Sequence, residues 1–224
     1  MAAIMRMMWA MLLAVFGLAA TPGAASSQPS TCPPMCDQIP ASAWIAASDI
    51  PLYRTYHWGE PAGLAVATAG PRFRFEDDCA TPPLPGDARG YAVSARALIP
   101  EPAGQWQVQA QVVHWRGETW RGADIALGVI RVAAGALRAC QLTAPQSSPS
   151  ITTDVPGQLA AVLSIDGNRV LHQYLLADTR NSTVVELAMW STTPPQVPWP
   201  TIPDSQVFDA MTRPLCDAYL GSCR

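Results

Sequence analysis

Hydrophobic and polar positions alternate most cleanly in the second half of the chain. Over residues 105–115, Val108, Ala110, Val112 and His114 fall on one side of an extended segment and Gln107, Gln109 and Gln111 on the other, the period-2 pattern of a strand. The pattern predicts a sheet with one dry face and one wet face. Residues 91–99 read as a preceding strand, and Pro100-Glu101-Pro102-Ala103-Gly104 as the turn that pairs the two antiparallel. Further on, strands over 158–165 and 169–177 flank Asp166-Gly167-Asn168, where Asp-Gly supplies the positive φ angles of a tight hairpin. A second turn over 178–182 leads into a strand over 183–190, completing a three-stranded meander.

Elsewhere the period changes. Ile125, Val129, Val132, Ala133, Ala136 and Leu137 recur at helical spacing, with Arg131 and Arg138 opposite, predicting a helix over 119–140. The β-branched residues within 129–132 leave a strand over 124–132 as the alternative. A final helix over 205–220, capped by Asp204, carries Val207, Phe208, Met211, Leu215 and Tyr219, and Pro214 is expected to kink or shorten it. Near the start, Pro40 opens a helix to about Ser48 that buries Trp44 and Ile45, and Pro51 stops it. Residues 52–90 are irregular, with a short strand at 72–75; 145–156 read as a loop, and 194–203 as an extended proline-rich crossover with Trp199 packed down. Two groups of strands with helices between and after predict an α+β fold: an antiparallel β-sheet of about five strands with helices packed on one face, braced by disulfides.

Residues 1–25 follow the plan of a secretory signal: Arg6, the apolar run 7–20, then small residues and Pro22, with cleavage after Ala19 or Ala25. The run is shorter than the roughly 20 residues a membrane span needs, so no stable span is expected after cleavage. Residues 26–224 are expected to form a single exported domain, secreted or attached to the cell envelope. The chain has a formal net charge of −3, and the leader carries one arginine and no acid, so nucleic acid is a poor partner. All 14 basic residues are arginine, a composition typical of a GC-rich bacterial genome, and Asn181-Ser182-Thr183 then reads as a turn rather than a glycosylation site.

Candidate chemistry is sparse. His57, His114 and His172 are each alone, without the local ligand pair that usually marks a metal site. Glu76-Asp77-Asp78 lacks the alternation and glycine of a calcium loop and reads as a solvated acidic turn. No GxSxG or activated serine is visible, so no cofactor, metal or catalytic residue is assigned. Tyr56, His57, Trp58, Trp106, Trp115 and Trp120 are candidates to line a concave site for an apolar or sugar-like ligand. Behind an export signal, Cys32, Cys36, Cys79, Cys140, Cys216 and Cys223 are expected in disulfides. Local pairing of Cys32 with Cys36 and Cys216 with Cys223 would leave Cys79 with Cys140; the alternative ties the Cys32–Cys36 segment to the C-terminal helix.

From Trp106, the alternating Ala110-Gln111-Val112-Val113 leads into an alanine-rich helix closing on Arg138-Ala139-Cys140, followed by the meander and last helix. From Cys79 onward this resembles the extracellular sensor domain of mycobacterial-type receptor Ser/Thr kinases and free-standing exported proteins of that kind. The resemblance implies a Cys79–Cys140 disulfide, a sheet with helices over one face, and a ligand cleft. The chain departs from it in that no kinase domain and no membrane helix beyond the leader are expected, and in having no cysteine within the meander, so signalling is not implied. The expected function is a non-enzymatic binding or sensor-like domain for a small molecule or another envelope or secreted protein. The alternative is an extracytoplasmic hydrolase with a site assembled from distant residues.

Overall fold

The computed structural model describes residues 37–219. The leader, residues 1–25, and Cys32, Cys36 and Cys223 lie outside the described residues. Seven strands form an antiparallel sheet: β1 (Val66–Ala67), β2 (Val93–Ile99), β3 (Gln107–His114), β4 (Ser147–Val155), β5 (Gln158–Ile165), β6 (Arg169–Asp178) and β7 (Thr183–Thr192). The helices are α1 (Tyr53–Tyr56), α2 (Pro61–Leu64), α3 (Arg74–Asp78), α4 (Thr119–Thr143) and α5 (Asp204–Ala218). The strand order β1-β2-β3-β7-β6-β5-β4 follows from one long crossover. After β3 the chain crosses through α4 to the far edge, then returns strand by strand until β7 pairs with β3. The hairpin between β5 and β6 turns as its sequence demands, with φ of 52° at Asp166 and 67° at Gly167.

Because side chains alternate along a strand, each strand supplies two cores. Val108, Ala110 and Val112 of β3 and Val185, Leu187 and Met189 of β7 face Val207, Phe208, Met211 and Leu215 of α5, together with Ile45, Ile50 and Trp58 of the N-terminal segment. On the other face Leu159, Leu163, Leu171, Leu175, Val184 and Ala188 pack under Ile130, Ala133 and Leu137 of α4 and under Phe73 and Phe75 around α3. The fold is therefore α+β and antiparallel, as expected, with seven strands rather than about five and with helices on both faces rather than one.

That second helical layer overturns the wet face predicted for β3. Gln109 and Gln111 are 4% and 0% exposed, and their amides are consumed in hydrogen bonds under α3. The strand expected at 72–75 is instead the entry to α3, where the Glu76 carboxylate accepts the Phe73 N–H at 2.7 Å. The helix expected at 40–48 is two 3-10 turns, Ala41–Ala43 and Ala47–Asp49, separated by extended backbone. This break buries consecutive Trp44 and Ile45 together in the core beneath α5. The loop expected at 145–156 is mostly β4, an edge strand whose position tolerates Pro149. α5 continues through Pro214 to Ala218. Asn181 is buried in its turn, and Trp199 is packed down, its ring stacked on His172 at 3.8 Å.

Candidate functional site

The three histidines and the acidic run at 76–78 are held apart. His114 opposes Thr183, and His172 opposes Met189, on β7, a spacing of roughly 20 Å along the strand. Both rings lie on the α5 face, whereas Glu76, Asp77 and Asp78 belong to α3 on the opposite face. Burial lowers both histidines to a pKa of about 4, so their rings are neutral at physiological pH. His114 shares a 3.0 Å hydrogen bond with Thr183 and stacks on Tyr219, and His172 is enclosed by Trp106 and Trp199. His57 is exposed at the end of α1. Among the described residues, no three His, Cys, Asp or Glu side chains group closely enough to hold a metal ion.

The candidate aromatics divide the same way. Tyr56 and Trp58 stack on each other at 4.5 Å within the core beneath α5, which also takes Trp106. Trp115 belongs to the α4 side and Trp120 is exposed on α4 itself. The acidic run is not a solvated turn: Glu76 is buried, and Asp78 is buried at its side chain and ion-paired with Arg74 and Arg169. Cys79 and Cys140 form a buried disulfide with Cα atoms 4.9 Å apart, and Cys216 is also disulfide-bonded. The Cys79–Cys140 bridge joins the end of α3 to α4, and Thr143 Oγ1 donates to the Cys79 carbonyl beside it at 2.6 Å.

A groove does form on that side, and α4 makes it. The helix has the length and composition of a membrane span, with a mean hydropathy of 1.5 over 18 residues, yet only a third of that window is buried. Its inner stripe packs on the sheet; the surplus apolar residues flank a slot of about 260 Å³. Ile125, Val129 and Val132 of α4 face Phe73 and Leu84 across it. Leu84 and Val132 are each 51% exposed, so the slot opens to solvent along an apolar rim. Ile125 also lines a second, more open hollow, a vestibule of about 760 Å³, together with Tyr91, Trp115, Arg116, Glu118 and Arg121.

An ion-pair knot holds the outer wall in place. Arg89 donates to both Glu76 oxygens at 2.7 and 2.8 Å and to both Asp87 oxygens at 2.6–3.1 Å, with its guanidinium 4.7 Å over the Phe73 ring. Burial works against the Arg89 charge, but the Glu76 and Asp87 hydrogen bonds outweigh it and raise its pKa. Burial also opposes ionisation of Asp87, and the hydrogen bonds from Arg89 reverse this, leaving that carboxyl below its ordinary range. With its donors committed in this way, Arg89 stabilises the wall and offers the slot little polar recognition.

Beneath α3 the covered glutamines have a structural task. Glu186 accepts the Arg74 N–H at 2.5 Å, Gln109 Nε2 at 2.9 Å and Gln173 Nε2 at 3.1 Å, while Gln173 Oε1 accepts the Phe75 N–H at 3.1 Å. Side chains of the sheet thus satisfy the first N–H groups of α3, which have no partner within the helix. Burial pushes Glu186 up to about 7 against the pull of these donors and of Arg96. The unfolded carboxyl ionises near 4.5, so the stability linked to the Glu186 proton is complete below that pH and is lost as pH rises through 7. Relative to the native protein, a Glu186→Gln variant should therefore gain about 3 kcal/mol between pH 4.5 and pH 8. Urea unfolding of both proteins across this range measures it, and a pH-independent difference would contradict the assignment.

No protein-family profile and no curated protein sequence matches the chain. The chain is similar to one solved structure, the extracellular domain of PknH from Mycobacterium tuberculosis. The identity is 15% and the TM-score 0.43, over 67% of this chain and 80% of that domain. Values this low assign neither a site nor an activity.

Neither the slot nor the vestibule was identified from the sequence. Two signals bear on them: Trp115, a candidate aromatic, lines the vestibule, and the β-branched Val129 and Val132 line the slot. Arg89 carried no signal, since 13 residues separate it from Glu76 and no local spacing links them.

Proposed function

We propose that residues 26–224 form a single non-enzymatic binding domain, exported behind the leader at 1–25, with the groove along α4 as its ligand site. The observation that carries this reading is the excess apolar surface of α4. Ile125 and Val129 flank the buried stripe and stay half-buried, and Val132 beyond them is 51% exposed; a helix edge that needed only to be wet would carry polar residues there, whereas these three line an open slot beside an ion-paired wall. Pockets of this kind, mostly apolar with a few polar groups at one end, are the usual form of small-molecule sites. The buried Cys79–Cys140 disulfide fits an oxidising, extracytoplasmic compartment.

Gly128 provides the test. It lines the slot, and a Cβ there would meet only the Arg131 Nη2 atom at 3.9 Å. Gly128→Leu should raise stability by about 0.5–1 kcal/mol, because glycine is a poor helix residue, while filling the slot. A solvatochromic apolar dye should bind the native protein saturably and lose at least tenfold in affinity for Gly128→Leu. Undiminished dye binding by a stabilised variant would place the site elsewhere.

A further inference from the structure

Building on the groove as ligand site, we propose that it takes a monomeric, single-chain amphiphile with an anionic head, its chain in the slot and its head between Arg116 and Arg121. The slot has the chemistry of an aliphatic chain: its α4 wall and the facing Phe73 and Leu84 are apolar, and the charged groups that also line it, Glu76, Asp87 and Arg89, are paired with one another. At roughly 30 Å³ for a water-sized group, the slot of about 260 Å³ holds about eight methylenes, one chain rather than two. A chain that entered past Ile125 would leave its head in the vestibule.

The vestibule carries the opposite chemistry. Arg121 pairs with no carboxylate among the described residues and lies 5.0 Å over the Trp120 ring, leaving its donors open to solvent. Arg116 is ion-paired at 2.5 Å with Asp37, whose side chain is 87% exposed; a pair so open to water contributes little and exchanges readily for a ligand anion. Glu118 also lines the vestibule and Asp37 is committed to Arg116, so Arg121 is the arginine of the lining left without an ion pair among the described residues, which favours a singly charged head over a polyanion.

Calorimetric titration of the full mature chain with straight-chain carboxylates of increasing length, kept below their micelle concentrations, and with the matching 1-alkanols tests this. Affinity should rise about 3- to 4-fold for each added methylene and level off once the chain exceeds about ten carbons. At low salt the carboxylate should bind about 5- to 10-fold tighter than the alcohol of equal length, and Arg121→Gln should remove most of that preference while leaving the alcohol unchanged. Equal binding of acids and alcohols, both abolished by Gly128→Leu, would overturn the anionic head and leave the groove as the site. Affinity independent of chain length, or binding to anionic vesicles with no saturable monomer binding, would overturn the amphiphile itself. Amphiphile binding that Gly128→Leu leaves intact would overturn the proposed site as well.

Discussion

Arg89→Ala is expected to cost about 3–5 kcal/mol of stability and to abolish ligand binding in the groove. Glu76 is 6% exposed and Asp87 only partly exposed; without the guanidinium the Glu76 carboxylate is left in a dry surrounding with its principal partner gone, and the half-buried Asp87 carboxylate loses its partner too. Breaking a buried pair from one side leaves an uncompensated charge, which is why the expected loss is several-fold larger than for a surface ion pair. The wall would respond by opening towards water, and the slot with it. Urea unfolding gives the stability and dye titration the binding. Adding Glu76→Leu to Arg89→Met tests the cause: with both charges gone the double variant should recover at least 2 kcal/mol relative to the sum of the single losses. Additive losses would mean that Arg89 acts only by packing on Phe73.

Removing the Cys79–Cys140 bridge should have an effect of similar size. The bond spans 61 positions, and closing a loop of that length stabilises the fold by roughly 4 kcal/mol in the chain-entropy model. A Cys79→Ala/Cys140→Ala protein should lose about 2–5 kcal/mol and about 10 °C in Tm. The loss should also be spatially biased. The bridge, the Thr143 hydroxyl on the Cys79 carbonyl and the Ser147 hydroxyl on the Asp78 carbonyl together fasten α3 to α4 and β4. Hydrogen exchange should therefore accelerate over 73–89 before it does in β5, β6 and β7. A loss below 1 kcal/mol, or uniform acceleration, would contradict this role.

The strands β2, β3, β5, β6 and β7 were legible because their information is local: period-2 alternation bounded by Pro-Gly or Asp-Gly turns. The helices α4 and α5 were legible for the equivalent reason. What failed depended on tertiary neighbours. The glutamines of β3 read as a wet face because polar residues at alternate positions usually face water; here Gln109 joins Gln173 and Glu186 in a buried network that holds α3, and Gln111 is buried against Arg72 and Arg96. β4 was hidden by its serines and Pro149, acceptable only because it is an edge. The N-terminal segment lost its predicted helix because burying Trp44 and Ile45 together outweighed local helix propensity. The groove was the least legible feature of all: its wall depends on a pairing between Glu76 and Arg89 that only the folded chain creates.

Mapping amide chemical shifts during titration with a ten-carbon carboxylate locates the ligand site relative to the α4 groove. Saturable changes confined to residues 84–91 and 116–133, absent in Gly128→Leu, are the expected result. Changes centred instead on His172 and Trp199 across the sheet, or none at any concentration below the micelle limit, would contradict the groove as that site.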